Sequence, residues 1–200
     1  MSQNYTKSAN NALKYAKRIA LELKQEYVGS EHLLLGLLKE RTGIAYAVLT
    51  KNGVEDSKLE ALTNQLMMDH TNVALANKAE FSKRCQDILD VASKEAKHYK
   101  AGQVGTEHLL IAIIKHPDSV AFRLLTAMNI SVTKLYGDIL EAMGLAPAQA
   151  KRYLQEIIDV AEQAIASVPS QLPSGFPAHI AETIFSGISH QAGILKMSIR

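Results

Sequence analysis

Along the first sixty residues, apolar side chains return at the three-to-four spacing of amphipathic helices. Ala9, Ala12, Leu13, Ala16, Ile19, Ala20 and Leu23 predict a helix over about 6–24. Thr6 stands where an N-cap belongs, directly after Tyr5, which can act as a hydrophobic staple. Gly29–Ser30 then punctuates the pattern, and the serine hydroxyl is expected to cap a second helix over 31–39. That helix is apolar nearly all round (Leu33, Leu34, Leu35, Leu37, Leu38), the pattern of a helix buried at the centre of its unit. A short helix over 44–51 and a fourth beginning at 57 complete the set, with Asn52–Gly53 as the C-cap between them.

The whole pattern is then written again. "VGSEHLLLGLLKE" at 28–40 returns as "VGTEHLLIAIIKH" at 104–116, and residues 5–64 align on 81–140 without a gap at an offset of 76. Identities include Leu13/Leu89, Ala16/Ala92, Gly29/Gly105, Glu31/Glu107, His32/His108, Leu34/Leu110 and Leu49/Leu125, and Tyr5/Phe81 matches in kind. Ser82 repeats the N-cap of Thr6, and Gly105–Thr106 repeats the break before a helix over 107–115. A gap-free offset of this length indicates internal duplication. Two units rather than a long array predict a closed pseudo-twofold domain instead of a solenoid. The expected fold is all-α: two tandem four-helix repeats, 5–66 and 81–143, forming an eight-helix bundle within a domain 1–144, with strands in neither unit. The weakly periodic link 67–80 reads as a surface loop. A helical extension follows at 145–200. It comprises an amphipathic helix over 147–167 opened by Pro147, the break "VPSQLPSGFP", and a second helix over 178–195.

Composition narrows the function classes. The chain has 200 residues, 47% hydrophobic and 21% charged, enough apolar content to bury a real core. A net charge of +2 without a long Lys/Arg run argues against nucleic acid as a partner. A single cysteine, Cys85, leaves no disulfide within the chain and suits a reducing compartment. The polar start "MSQNYTKSANNALKYAK" has no signal-peptide core, and no apolar run approaches the roughly 20 residues of a membrane span. The expectation is a cytoplasmic protein without a membrane partner.

The paired motifs carry a specific resemblance. "YVGSEHLLLGLLKERTGIAYAVL" and "QVGTEHLLIAIIKHPDSVAFRLL" resemble the doubled [IV]-G-[ST]-E-H-[IL]-L signature of the Clp N-terminal repeat domain, nearest to the ClpC type, over roughly 4–144. That is the substrate- and adaptor-docking domain of Clp-type AAA+ protein unfoldases. The resemblance implies an all-α bundle of two four-helix repeats and a protein-binding module that is not an enzyme. Its implied partners are substrate or adaptor proteins of a Clp protease, and a Clp ATPase itself. A stand-alone regulator that competes with or joins a full-length Clp ATPase is the alternative. No G-x-x-x-x-G-K-[ST] phosphate loop occurs in the sequence, so neither ATPase activity nor a nucleotide cofactor is expected. The tail faintly resembles the C-terminal end of HipA-type kinases, but it is too short for kinase chemistry and implies no function.

Four residues are candidates for binding. In ClpC-type domains the motif glutamate binds the guanidinium of phosphorylated arginine, which places Glu31 and Glu107 in that role. A carboxylate accepts the planar N–H donors while a helix start takes the phosphate. Thr6 beside Lys7, and Ser82 beside Lys83 and Arg84, are expected to receive the anion, each within its own unit. The plainer account makes each glutamate a favourable first-turn acid of an exposed helix start, worth roughly 0.3–1 kcal/mol. "KERTG" and "KHPDS" depart from the glycine- and glutamate-rich turn more usual after the motif helix. His32 and His108 lack the further ligands a zinc site needs and read as structural, so no metal is expected. Paired-acid hydrolysis by Glu31 and Glu107 is disfavoured because no nucleophile is marked. Cys85 reads as a small buried thiol, and Lys94, Lys97, His98 and Lys100 as a solvated helix face.

Overall fold

The computed structural model describes residues 4–68 and 80–145, with the side chains of 66–68 excepted. The expected tail helices and most of the link lie outside the described residues. Eight helices fill the described residues: α1 (Lys7–Glu22), α2 (Ser30–Glu40), α3 (Ile44–Lys51), α4 (Asp56–Met68), α5 (Lys83–His98), α6 (Thr106–Ile114), α7 (Val120–Ala127) and α8 (Val132–Ala142). Helix order is the same in the two units. Two left-handed positions correspond at the 76-residue offset, Lys24 (φ 54°) with Lys100 (φ 55°) and Gly53 (φ 82°) with Asn129 (φ 57°), whereas Arg41 (φ 63°), the C-cap of α2, has no left-handed counterpart at Pro117. The Asn52–Gly53 stop behaves as expected, with Asn52 the C-cap of α3.

The two most apolar helices form the centre. Leu33, Leu34, Leu37, Leu38, Leu109, Leu110, Ile111 and Ile113 are fully buried in one continuous core. In the first unit α1 lies closely along α2 because Gly36 removes the side chain at the crossing. A Cβ there would overlap the Ala12 carbonyl oxygen and stand 3.0 Å from the Ala16 nitrogen. The second unit has Ala112 at the matching position, and Ile88 and Ala92 stand where the first unit has Ala12 and Ala16.

Short parallel pairings depart from the expectation of no strands. β1 (Tyr27–Val28) pairs with β2 (Glu80–Phe81), and Tyr5 pairs with Val104 in the pseudo-equivalent place. The Ser82 N–H donates to the Val28 carbonyl and the Thr6 N–H to the Val104 carbonyl, both at 3.0 Å. Each pairing joins the segment before the first helix of one unit to the segment before the motif helix of the other. Backbone donors just ahead of a helix have no intrahelical acceptor, and the opposite unit supplies one. Glu80, expected at the end of the linking loop, therefore belongs with Phe81 to the second unit's framework. Phe81 packs on Ala16, Ala20 and Val28 of the first unit, with the Lys17 ammonium 4.8 Å from its ring centre.

At the opposite side a polar cluster ties α3 to α8. Asp138 accepts from Lys51 at 2.9 Å, Asn52 at 2.7 Å and Lys134 at 2.9 Å. Burial works against the Asp138 charge, yet these hydrogen bonds hold its carboxyl down to about 2.

Candidate functional site

The site is built at the starts of the two motif helices. The N-caps are Gly29 and Gly105 in extended conformation, one residue earlier than the hydroxyls expected to cap them. Each glycine N–H donates to the Nδ1 of the histidine three residues on, His32 or His108, at 2.9 Å. The histidine thus plays the part usually taken by glutamate in a reciprocal helix-start motif. An accepting Nδ1 places the proton of the neutral ring on Nε2. Burial lowers the pKa of both histidines, against the opposing pull of Glu31 on His32 and of Glu107 and Glu95 on His108. Their role is structural, held by the geometry of the cap.

Ser30 and Thr106 are freed to work across the pseudo-twofold. Ser30 Oγ accepts the Ala121 N–H at the start of α7 at 3.1 Å, and Thr106 Oγ1 accepts the Ala45 N–H at the start of α3 at 3.3 Å. Each motif hydroxyl therefore caps a helix of the other unit. The first helices are capped as expected: Thr6 accepts from the Ala9 N–H and Ser82 from the Cys85 N–H, both at 3.2 Å. A hydroxyl that accepts an amide still has its own proton to donate.

The crossing also changes which cap meets which glutamate. Pairing of Glu31 with Thr6, and of Glu107 with Ser82, was the arrangement expected within each unit. Instead the Ser82 N–H binds the Val28 carbonyl just ahead of Glu31's helix, and the Thr6 N–H binds Val104 ahead of Glu107's. Electrostatics agrees. Burial, together with the Glu31 charge, pushes the Cys85 thiol, one turn into α5, up to about 12. Glu31 therefore stands with Ser82 and Cys85, and the first-unit cap Thr6 is brought to the motif of the second unit.

The glutamates are less open than expected. Glu31 is only 6% exposed, with the Ser30 hydroxyl 3.3 Å from its Oε2. Glu107 is partly exposed, its Oε2 3.5 Å from the Thr106 hydroxyl. Both carboxylates fold back over their own N-cap, and a Cβ on Gly29 or Gly105 would collide with them. With φ ordinary at both glycines, a side chain there would displace only the flexible carboxylate end of Glu31 or Glu107, so the glycine permits the folded-back rotamer.

Around these shared elements the two junctions differ. Near Glu31, Arg84 of α5 pairs with Asp118 at 2.6 Å, and Arg123 of α7 feels both. In the other junction the positions of Arg84 and Asp118 are filled by Ser8 and Thr42, whose hydroxyls are 3.2 Å apart. There Glu40 accepts the Thr42 N–H at 3.0 Å, the Gly43 N–H at 2.6 Å and the Thr42 hydroxyl. Burial opposes the Glu40 charge, but these bonds and one from Ser8 lower its pKa overall. Among the described residues, no group of three or more His, Cys, Asp or Glu is placed to hold a metal. Nor is any helix there long and apolar enough to cross a membrane. Lys94, Lys97 and His98 of α5, and Lys100 just past its end, are exposed.

A family model of the Clp repeat N-terminal domain matches residues 4–128 and again 80–167. The chain belongs to the Clp N-terminal repeat family. The overlapping matches reflect the duplication, since either unit can stand against either half of the family's domain. Curated relatives include the chaperone protein ClpB of Oceanobacillus iheyensis, 29% identical over 152 residues, covering 76% of this chain and 18% of that protein. The ATP-dependent Clp protease ATP-binding subunit ClpC of Staphylococcus aureus is 30% identical over 142 residues, covering 70% of this chain and 17% of that protein. The chain thus spans less than a fifth of the length of the curated relatives it matches. Among solved structures, the N-terminal domain of the Arabidopsis thaliana chaperone ClpD superposes with a TM-score of 0.58 at 20% identity, covering 70% of this chain and 97% of that one. The Hsp104 N-terminal domain from Candida albicans gives 0.59 at 15%, covering 72% and 94%. These likenesses establish the all-α repeat bundle of a Clp N-domain.

Proposed function

We propose that this Clp N-domain is a protein-binding module that docks substrates or adaptors for a Clp-type AAA+ unfoldase, and that arginine-phosphorylated segments are among its ligands. The observation that supports this reading is the crossed junction, in which a motif carboxylate stands next to a capped helix start from the other unit. A phosphorylated guanidinium has an anionic end and a planar face of N–H donors. Glu31 or Glu107 accepts the donors. The Ser82 or Thr6 hydroxyl, with the first-turn amides behind it, meets the phosphate. The module binds and releases, and it performs no chemistry of its own.

Glu31 must turn away from Gly29 to meet a guanidinium, which gives weight to a second reading. In that reading the glutamates serve only as caps, as their folded-back carboxylates favour. Calorimetry with free phospho-arginine separates the two. Saturable binding, tighter than for phosphoserine or arginine and lost in the Glu31→Ala/Glu107→Ala double variant with folding intact by circular dichroism, supports docking. No saturable heat at millimolar ligand leaves the glutamates as caps. Capture of a Clp ATPase by the isolated chain is the corresponding test of the stand-alone regulator.

A further inference from the structure

Duplication makes two junctions of the same plan, but their side chains have diverged in charge. Just ahead of Glu31, Val28 and Ser30 bind the backbone of Ser82 and Ala121, which brings in the helix starts that carry Lys83 and Arg84 and, on α7, Arg123; Arg84 pairs with Asp118 at 2.6 Å. Arg123 is half-buried, which disfavours its charge, and although Asp118 favours that charge, Arg84 disfavours it further. Asp118 is thus ion-paired with Arg84, while Arg123 lies within electrostatic range of both. Around Glu107 the matching positions are Lys7, Ser8 and Ala47. Glu40 is there as well, already bound to the Thr42 and Gly43 amides and the Thr42 hydroxyl. Its counterpart at the Glu31 junction, His116, is turned onto its own helix, with Nδ1 2.7 Å from the Ala112 carbonyl.

We propose that the two junctions are unequal binding sites: the Glu31–Ser82 junction, flanked by Arg84 and Arg123, takes the phosphorylated guanidinium first, and the Glu107–Thr6 junction, with Glu40 in place, takes it weakly. This rests on the binding reading above and assigns Arg84 and Arg123 as affinity-determining residues. An incoming phosphate meets surplus positive charge at one junction and an internal carboxylate at the other. On partly solvated surface, a charge difference of this kind separates the affinities by about tenfold or more.

The test is calorimetry of the whole chain with free phospho-arginine at low and at moderate salt. Two phases are expected, at least about tenfold apart and converging as salt rises. Glu31→Ala removes the tight phase and Glu107→Ala the weak one. Arg123→Gln and Arg84→Gln each weaken the tight phase about five- to tenfold while circular dichroism stays native. Ser8→Arg, which copies Arg84 into the other junction, strengthens the weak phase. Two equal sites, or a tight phase that vanishes with Glu107→Ala, would overturn the inequality while leaving the docking reading standing. Absence of any saturable heat with the unaltered chain removes both.

Discussion

Gly36→Ala puts the closest helix crossing of the fold against simple helix propensity, and the two give opposite signs. In an exposed helix interior the change stabilises by about 1 kcal/mol, because alanine loses less backbone entropy. Gly36 is not exposed. A methyl there overlaps the Ala12 carbonyl oxygen and reaches to 3.0 Å from the Ala16 nitrogen and 3.2 Å from its Cβ. Two of those three atoms are backbone, so α1 must move as a body rather than one side chain turning aside. Overpacking a close-packed site costs about 1–3 kcal/mol, and more where the obstacle is rigid. Net of propensity, we expect destabilisation of up to about 2 kcal/mol. At about 2–4 °C per kcal/mol for a domain of this size, the melting temperature falls by up to several degrees. Thermal and urea melts by circular dichroism provide the measurement. The mirror change, Ala112→Gly, should also destabilise, through propensity and lost packing. A melting temperature that rises for Gly36→Ala would refute the account of the α1–α2 crossing.

Three other outcomes are expected. Leu34→Ala and Leu110→Ala, both at fully buried positions, should each cost about 2–5 kcal/mol by denaturant melts. A change too small to resolve at both would mean that α2 and α6 are not central. Ser30→Ala should cost about 1 kcal/mol and speed hydrogen exchange at the Ala121 amide of the other unit, because that amide loses its acceptor; exchange unchanged at Ala121 and altered within α2 would contradict the crossed cap. Stability should also fall on acidification below about pH 6.5. His32 and His108 have folded pKa values lowered from 6.5, so the unfolded chain binds more protons there. Each contributes a slope of up to about 1.4 kcal/mol per pH unit between its folded value and 6.5. Glu40 and Asp138, with carboxyls held below their ordinary values, lose their contributions only at still lower pH. Melting temperatures that stay flat from pH 7.5 to 5.5 would sink the neutral-histidine assignment.

The elements that could be read from sequence are those whose causes are local. The all-round apolar run in α2 and α6 required burial, and Leu34 and Leu110 are buried. Thr6 and Ser82 cap as their neighbours dictate, and Asn52–Gly53 ends α3. Ser30 and Thr106 were misread because a hydroxyl beside a helix start has an obvious local partner, whereas Ala121 and Ala45 lie far away in the chain. The paired segments at Tyr27–Val28 and Glu80–Phe81 escaped for the same reason, being two residues long and stabilised by the opposite unit. Burial of Glu31 was likewise illegible, since it depends on the second unit closing on the start of α2 through Ser82 and Ala121. The charge contrast between junctions was written openly at Ser8/Arg84 and Ala47/Arg123. It acquires meaning only once the helix starts are brought together.

The exchanged pairings ahead of α1 and α5 leave each half with hydrogen-bond donors and acceptors that only its counterpart satisfies. A single-copy ancestor with this layout would meet its needs as a homodimer, each polypeptide completing the other by reciprocal strand exchange. Fusion of two gene copies would then replace a concentration-dependent association by a permanent tether with a high effective concentration. The covalent link would contribute kinetics and stoichiometry more than architecture. On that view, fragments 4–68 and 80–145 made as separate polypeptides should find one another and assemble one to one, and either fragment alone should pair with itself or remain unfolded.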